Sequence, residues 1–284
     1  MTRKFPPVCM TIGVSDSSGG SGIQSDIKAI AAQECYAASV VVGVMAQNFS
    51  GIKSSMQIDA AMVHAQMDAI MSELPVKAVK VGLVQSIDAI RVIGRWLREH
   101  PKLQVVIDPV AADSRGIPIQ QPEMVKAICE HLMPRATIVT PNRFEAALIS
   151  GMEECLSVED MAQAARAIFT KFGCPVVVTG GGLADRSIDV LCALDGISHF
   201  DAPTHKRTKV HGAGCAHSAV ITACLARGDH LRDAIYHAKH YVSAAIANAP
   251  ALENGRGTLW HSIKVNAEAI NVGSGSYPVL PSNG

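Results

Sequence analysis

The segment Val210-His211-Gly212-Ala213-Gly214-Cys215 joins a short apolar run to a long stretch of helical pattern, and its small residues leave the backbone open to close approach. A helix starting there offers free N–H groups and the positive end of its dipole, enough to hold a phosphate without a lysine. Cys215 falls in that first turn, where a thiolate is stabilised, which is the chemistry of a base or a nucleophile. Taken alone, the segment also reads as a tight turn that merely starts a helix.

Four further segments carry polar or permissive residues just after an apolar run. Residues 13–26, Gly13 to Asp26, are glycine-rich between a strand pattern and a helix pattern, but they match neither GxGxxG nor a Walker loop, since no Gly-Lys-Ser/Thr follows. Gln47, between Ala46 and Asn48, offers a donor and an acceptor together, which suits a heteroaromatic ring carrying both. Asp108 ends one run, and Asn142 and Glu145 follow the next, one helical turn apart on one face. Three such oxygen-bearing side chains suit Mg²⁺, held directly or through its waters, while Asn142 and Glu145 equally spell a helix-capping box. Thr179-Gly180-Gly181-Gly182 is a permissive loop where something approaches the backbone. Zinc catalysis and serine hydrolysis are disfavoured, because the chain has neither HExxH nor GxSxG.

The elements that must position these residues alternate. Apolar runs at 8–14, 38–46, 78–84, 104–108, 137–140 and 175–179 predict buried strands, and helical spacing predicts helices from about 22, then over 59–74, 87–100, 122–132, 158–172, 214–227 and 231–247. Ile23, Ile27, Ile30 and Ala31 should share the inner face of the first helix, and Met62, Met67 and Ile70 that of the second. Such alternation predicts an α/β fold with a mainly parallel sheet covered on both faces. Residues 188–194 and 197–202, parted by Asp195-Gly196, predict an antiparallel hairpin at its edge. Ligands of such sheets lie beyond the carboxyl ends of the strands, where all five segments fall.

With 284 residues, 48% hydrophobic and 18% charged, the chain can bury a large core. A single domain is expected over 1–266, followed by a Gly-, Ser- and Pro-rich tail over 267–284. Lys plus Arg (25) balances Asp plus Glu (25) with no basic stripe, so nucleic acid is not an expected partner. The apolar stretches 37–46 and 219–226 fall short of the roughly 18 residues that span a bilayer, and no signal core is seen. No membrane partner and a cytoplasmic location are expected, with the eight cysteines reduced.

Six segments occur in order: 13–26, Ala46-Gln47-Asn48, Lys80-Val81-Gly82-Leu83, Asp108-Pro109-Val110, Thr140-Pro141-Asn142 with Glu145, and His211 to Cys215. Together, over about residues 7–262, they resemble the hydroxymethylpyrimidine/phosphomethylpyrimidine kinases of thiamine biosynthesis, within the ribokinase-like superfamily. The resemblance implies a three-layer α/β/α sandwich, ATP and Mg²⁺ as cofactors, a homodimer, and two successive phosphorylations, of 4-amino-5-hydroxymethyl-2-methylpyrimidine and then of its monophosphate. It implies that Gln47, Gly13, Ser21, Val110 and Asp26 surround the pyrimidine, that Asp108, Asn142 and Glu145 surround Mg²⁺, and that Gly212, Ala213, Gly214 and Cys215 form an anion hole. Cys215 would orient the hydroxymethyl group and, as thiolate, accept its proton. Thr179 and Lys209 would lie against the nucleotide.

The chain departs from the family pattern at Thr179 and Gly182, where lysine and histidine are usual, and at Ala213, Leu83 and Asp113-Ser114-Arg115. Loss of the lysine removes about 1.5–3 kcal/mol of charge-assisted bonding unless Arg115, Lys206, Arg207 or Lys209 replaces it. A pyridoxal kinase and a catalytically weak pyrimidine-binding protein are the alternatives.

Overall fold

The computed structural model describes residues 4–181, 186–205 and 209–263. In chain order the first half holds β1 (Val8–Asp16), α1 (Gly22–Ala32), β2 (Tyr36–Asn48), β3 (Gly51–Gln57), α2 (Ala60–Met71), β4 (Val76–Val81), α3 (Ile87–Glu99) and β5 (Gln104–Ile107). The middle holds α4 (Pro122–His131), β6 (Ile138–Val139), α5 (Arg143–Ser150), α6 (Val158–Phe172), β7 (Val176–Val178), β8 (Arg186–Ala193) and β9 (Gly196–Pro203). The last part holds β10 (Lys209–His211), α7 (Ala213–Arg227), α8 (Leu231–Ala247) and β11 (Arg256–Thr258).

Nine strands form one sheet in the order β3-β2-β1-β4-β5-β6-β7-β8-β9. The inner strands β2, β1, β4, β5, β6 and β7 are parallel; β1, β4, β5, β6 and β7 are almost wholly buried, as helices covering both faces require, while β2 is partly exposed. The expected hairpin is β8–β9, antiparallel on one edge. One core lies between the sheet and α2 to α6, and a second between the sheet and α1, α7 and α8, which makes the three layers expected. Strand order reverses between β1 and β4, and ligands of open α/β sheets bind at such switch points, beyond the strand C-termini.

Three features differ from expectation. The opposite edge carries a second antiparallel hairpin, β2–β3, whose outer strand is exposed throughout and has no apolar alternation to betray it. β10 and β11 form a separate parallel pair of three residues each, too short for a sequence pattern. Two helix faces are turned: Ala31 and Met62 are exposed, and the polar Ser25 and Asp26 with Val63 are buried instead. All eight cysteines are free thiols, six of them buried. Among the described residues no helix is long and apolar enough to cross a membrane. The segment expected as a tail lies outside the described residues.

Candidate active site

Two glycine-rich turns meet at the start of α7. Gly212 caps this helix with φ 90°, and a Cβ there would lie 2.0 Å from the carbonyl oxygen of Gly20, so only glycine allows the two turns to touch. Across this junction the backbone N–H of Gly22, at the start of α1, points to the Cys215 sulfur. Cys215 therefore sits between two helix N-termini, a pairing that favours a bound anion. Burial nevertheless pushes its thiol up to about 12, with Asp108 and Asp26 adding to the rise and Lys80 opposing it. Burial therefore weighs against the thiolate expected at Cys215, while Lys80 and the Gly22 N–H favour it.

Asp16 organises the first turn. Its carboxylate accepts from the backbone N–H and hydroxyl of Ser18 and of Ser21, at 2.7–3.0 Å. Burial opposes the charge, but these donors hold the Asp16 carboxyl below its usual range. Gln47, at the end of β2, turns its Nε2 towards Asp16 Oδ2 (3.4 Å) and Ser21 Oγ (3.5 Å) and lies 3.0 Å from His211 Nε2. Gln47, Ser21 and the Gly212–Cys215 turn thus share one site. Phe49, His211 and Thr258 all close on Gly20, leaving no room there for a side chain.

Beneath this site lies a charged cluster that the sequence did not disclose. Lys80, 1% exposed on β4, pairs with Asp26, donates to the Cys215 carbonyl (3.1 Å) and lies 3.8 Å from Asp108. Thr11 donates to Asp26 and Ser218 to Asp108. Although burial opposes it, the Asp26 and Asp108 carboxylates hold the Lys80 ammonium above its ordinary range. Asp26 is therefore buried under the pocket, against Lys80 and Thr11. In the sequence these residues stood in three separate segments, 13–26, 80–83 and 108–110, with nothing local to join them.

Asn142 and Glu145 form the capping box of α5. Asn142 spends its side chain on Phe144 N, Glu145 N and the Ala112 carbonyl. Glu145 Oε1 accepts from Ala111 and Ala112, and Oε2 from Asn142. Burial, then the charge of Asp108, raises Glu145 to about 8 despite these three donors. Val110 supplies the geometry: its φ of 45° is strained for a β-branched residue, and Gln120 holds it by donating to the Pro109 and Val110 carbonyls. Gly13 is buried in β1, where a Cβ would meet Ile23 at 3.5 Å.

Hard oxygen donors suit Mg²⁺, and a cation between Asp108 and Glu145 would relieve the repulsion that raises Glu145. The fit is through those two carboxylates, waters and phosphates, with Asn142 acting on the helix start. Among the described residues no three His, Cys, Asp or Glu side chains converge into a closed metal cage.

Thr179 follows β7 and bridges to Asn142 through the main chain. Behind the next residue, the Gly180 N–H donates to Asp189 (3.1 Å), which also holds Lys239 (2.7 Å) and His217 (3.3 Å). Burial opposes the charge, yet His217 and Lys239 bring Asp189 down to about 2. Of the cations expected to replace the lysine absent at Thr179, Arg115 is tied to Asp113 at 2.6 Å. Lys206, Arg207 and Gly182 lie outside the described residues, and Lys209 is described in its main chain, paired with Arg256.

The phosphomethylpyrimidine kinase family model matches residues 16–260. The chain is 39% identical to a hydroxymethylpyrimidine/phosphomethylpyrimidine kinase of Rhizobium meliloti (strain 1021), over 88% of this chain and 94% of that one. It is 36% identical to a pyridoxine kinase of Bacillus subtilis (strain 168), over 92% and 98%. The crystal structure of an ADP complex of Bacillus subtilis pyridoxal kinase superposes with a TM-score of 0.84 at 35% identity, covering 90% of this chain and 98% of that one. A match over both glycine-rich turns, the switch-point sheet and the capped α5 leaves one assignment: the chain belongs to the phosphomethylpyrimidine kinase family.

Proposed function

We propose that this protein transfers the γ-phosphoryl of ATP to the hydroxymethyl group of 4-amino-5-hydroxymethyl-2-methylpyrimidine and then phosphorylates the monophosphate, in thiamine biosynthesis. The observation that carries this reading is the convergence of two helix N-termini on Cys215, with Gln47 held 3.0 Å from His211 in the same site. Phosphoryl transfer needs alignment and charge neutralisation more than covalent chemistry. The amides of Gly212 to Cys215 offer donors to the migrating group, Gln47 holds the ring, and Asp108 with Glu145 would hold Mg²⁺, which neutralises phosphate charge when bound. Cys215 lies between the two helix starts, where it can orient the alcohol, and burial, which pushes its thiol up, weighs against a second role as base. The loose transition state of this reaction class asks little of a base before bond making.

The ADP complex of the similar Bacillus subtilis pyridoxal kinase supports ATP over the weak-binder reading. A pyridoxal-type activity is the second reading, favoured by the pyridoxine kinase relative. Exposed Val44, Ile52 and Met56 on the β2–β3 hairpin support a homodimer as part of the proposal. A coupled assay with ATP, Mg²⁺ and each alcohol tests the function, with phosphate count read by mass spectrometry. Mono- and diphosphate from the pyrimidine are expected; turnover of pyridoxal alone would replace the first reading by the second.

A further inference from the structure

The amide of Gln47 is held from three sides. Its Nε2 faces Asp16 Oδ2 and Ser21 Oγ. The Ser21 hydroxyl proton goes to Asp16, so the Ser21 oxygen has a lone pair to spare. A carboxylate and a hydroxyl that has committed its proton are both acceptors, and only the NH₂ end of an amide satisfies them. The same Nε2 is 3.0 Å from His211 Nε2. An amide NH₂ has no lone pair to offer, so this ring nitrogen must accept, which places the imidazole proton on Nδ1 and leaves the ring neutral. Burial acts in the same direction, keeping His211 below its ordinary range against the pull of Asp16.

With one N–H directed to Asp16 and Ser21 and the other to His211, both donors of Gln47 are spent. Its carbonyl oxygen alone remains for a ligand. We propose that His211 is a specificity-determining residue: by accepting from Gln47 Nε2 it presents Gln47 Oε1 to the pocket, and the site selects an alcohol with a hydrogen-bond donor beside its hydroxymethyl group. The inference rests on the kinase reading above and divides its two candidate substrates. The pyrimidine carries an amino group on the carbon next to the hydroxymethyl arm, whereas pyridoxal carries an aldehyde oxygen there. Amino meets carbonyl as a donor meets an acceptor; aldehyde meets carbonyl as two acceptors, and a polar site left unpaired discriminates strongly.

The test compares kcat/KM for the aminopyrimidine alcohol and for pyridoxal in wild type, His211→Leu and His211→Gln, together with the KM for ATP. His211→Leu releases the second N–H of Gln47, which can then donate to an aldehyde oxygen, and the preference for the aminopyrimidine should fall at least tenfold with the KM for ATP unchanged. His211→Gln, whose amide oxygen reaches the Nε2 position, should restore most of it. An unchanged ratio in an active His211→Leu enzyme overturns the proposal. Nitrogen-15 NMR of wild type asks the same question without substrate or substitution: a lone-pair signal at His211 Nε2 is expected, and a proton there overturns the proposal. Should wild type phosphorylate neither alcohol, the kinase reading fails, while the tautomer measurement still decides the role of His211.

Discussion

Two buried lysine–aspartate clusters flank the first turns of α7, and they are built with opposite imbalance. The one reached through Ser218 sets Lys80 against two carboxylates, Asp26 and Asp108. The one reached through His217 sets Asp189 against Lys239 and an imidazole. Burial leaves Asp26 raised and adds to the rise of Cys215 above it, whereas Asp189 falls to about 2. An acid-rich cluster at the strand ends has unmet demand for a cation and so faces the chemistry. A fully compensated carboxylate has none, and this one ties α7 and α8 to the β7–β8 edge.

Removing each lysine should separate the two most sharply. Lys80→Met leaves two carboxylates buried without their cation and should cost about 3–5 kcal/mol in urea unfolding. Lys239→Met should cost less, about 2–3 kcal/mol, because His217 at 3.3 Å and the Gly180 N–H at 3.1 Å still face Asp189. Equal losses would dissolve the distinction.

Asp108→Asn should do the reverse, lowering turnover or Mg²⁺ affinity about 10- to 100-fold in steady-state assays. Its melting temperature should hold, since it relieves the excess negative charge beside Glu145. Cys215→Ala keeps every backbone donor of the turn, so kcat should stay within about tenfold of wild type, worth at most about 1.4 kcal/mol. A larger loss, with turnover rising steeply with pH in wild type, would return the thiol to the role of base.

The smallest effect is in acid. Asp189 is depressed in the folded protein, so its contribution to stability is present above the ordinary carboxylate range and is lost as pH falls towards about 2. Asp189→Asn should flatten the dependence of unfolding free energy on pH between about 4 and 2. Asp26 is raised, so Asp26→Asn should not flatten it.

The strand ends, the capping box at Asn142 and the two glycine-rich turns were legible in the sequence. Each is local: a cap joins residues three apart, and a strand end needs only an apolar run and its stop. The β2–β3 hairpin was not legible, because Lys53, Ser54 and Ser55 lie on an exposed outer strand whose partner is what defines it. Nor was the strained Val110, since its φ is set by Glu145 and Gln120 drawing on the amides and carbonyls around it.

The chain by itself determined where polar groups stand at the ends of buried strands, and hence where a ligand is expected. Only the tertiary structure decided how those groups are charged and turned. Lys80 meets Asp26 across 54 residues, and Gln47 meets His211 across 164. The physical reason is that protonation depends on depth, where low dielectric makes an unpaired charge costly, and amide orientation depends on neighbours brought from afar.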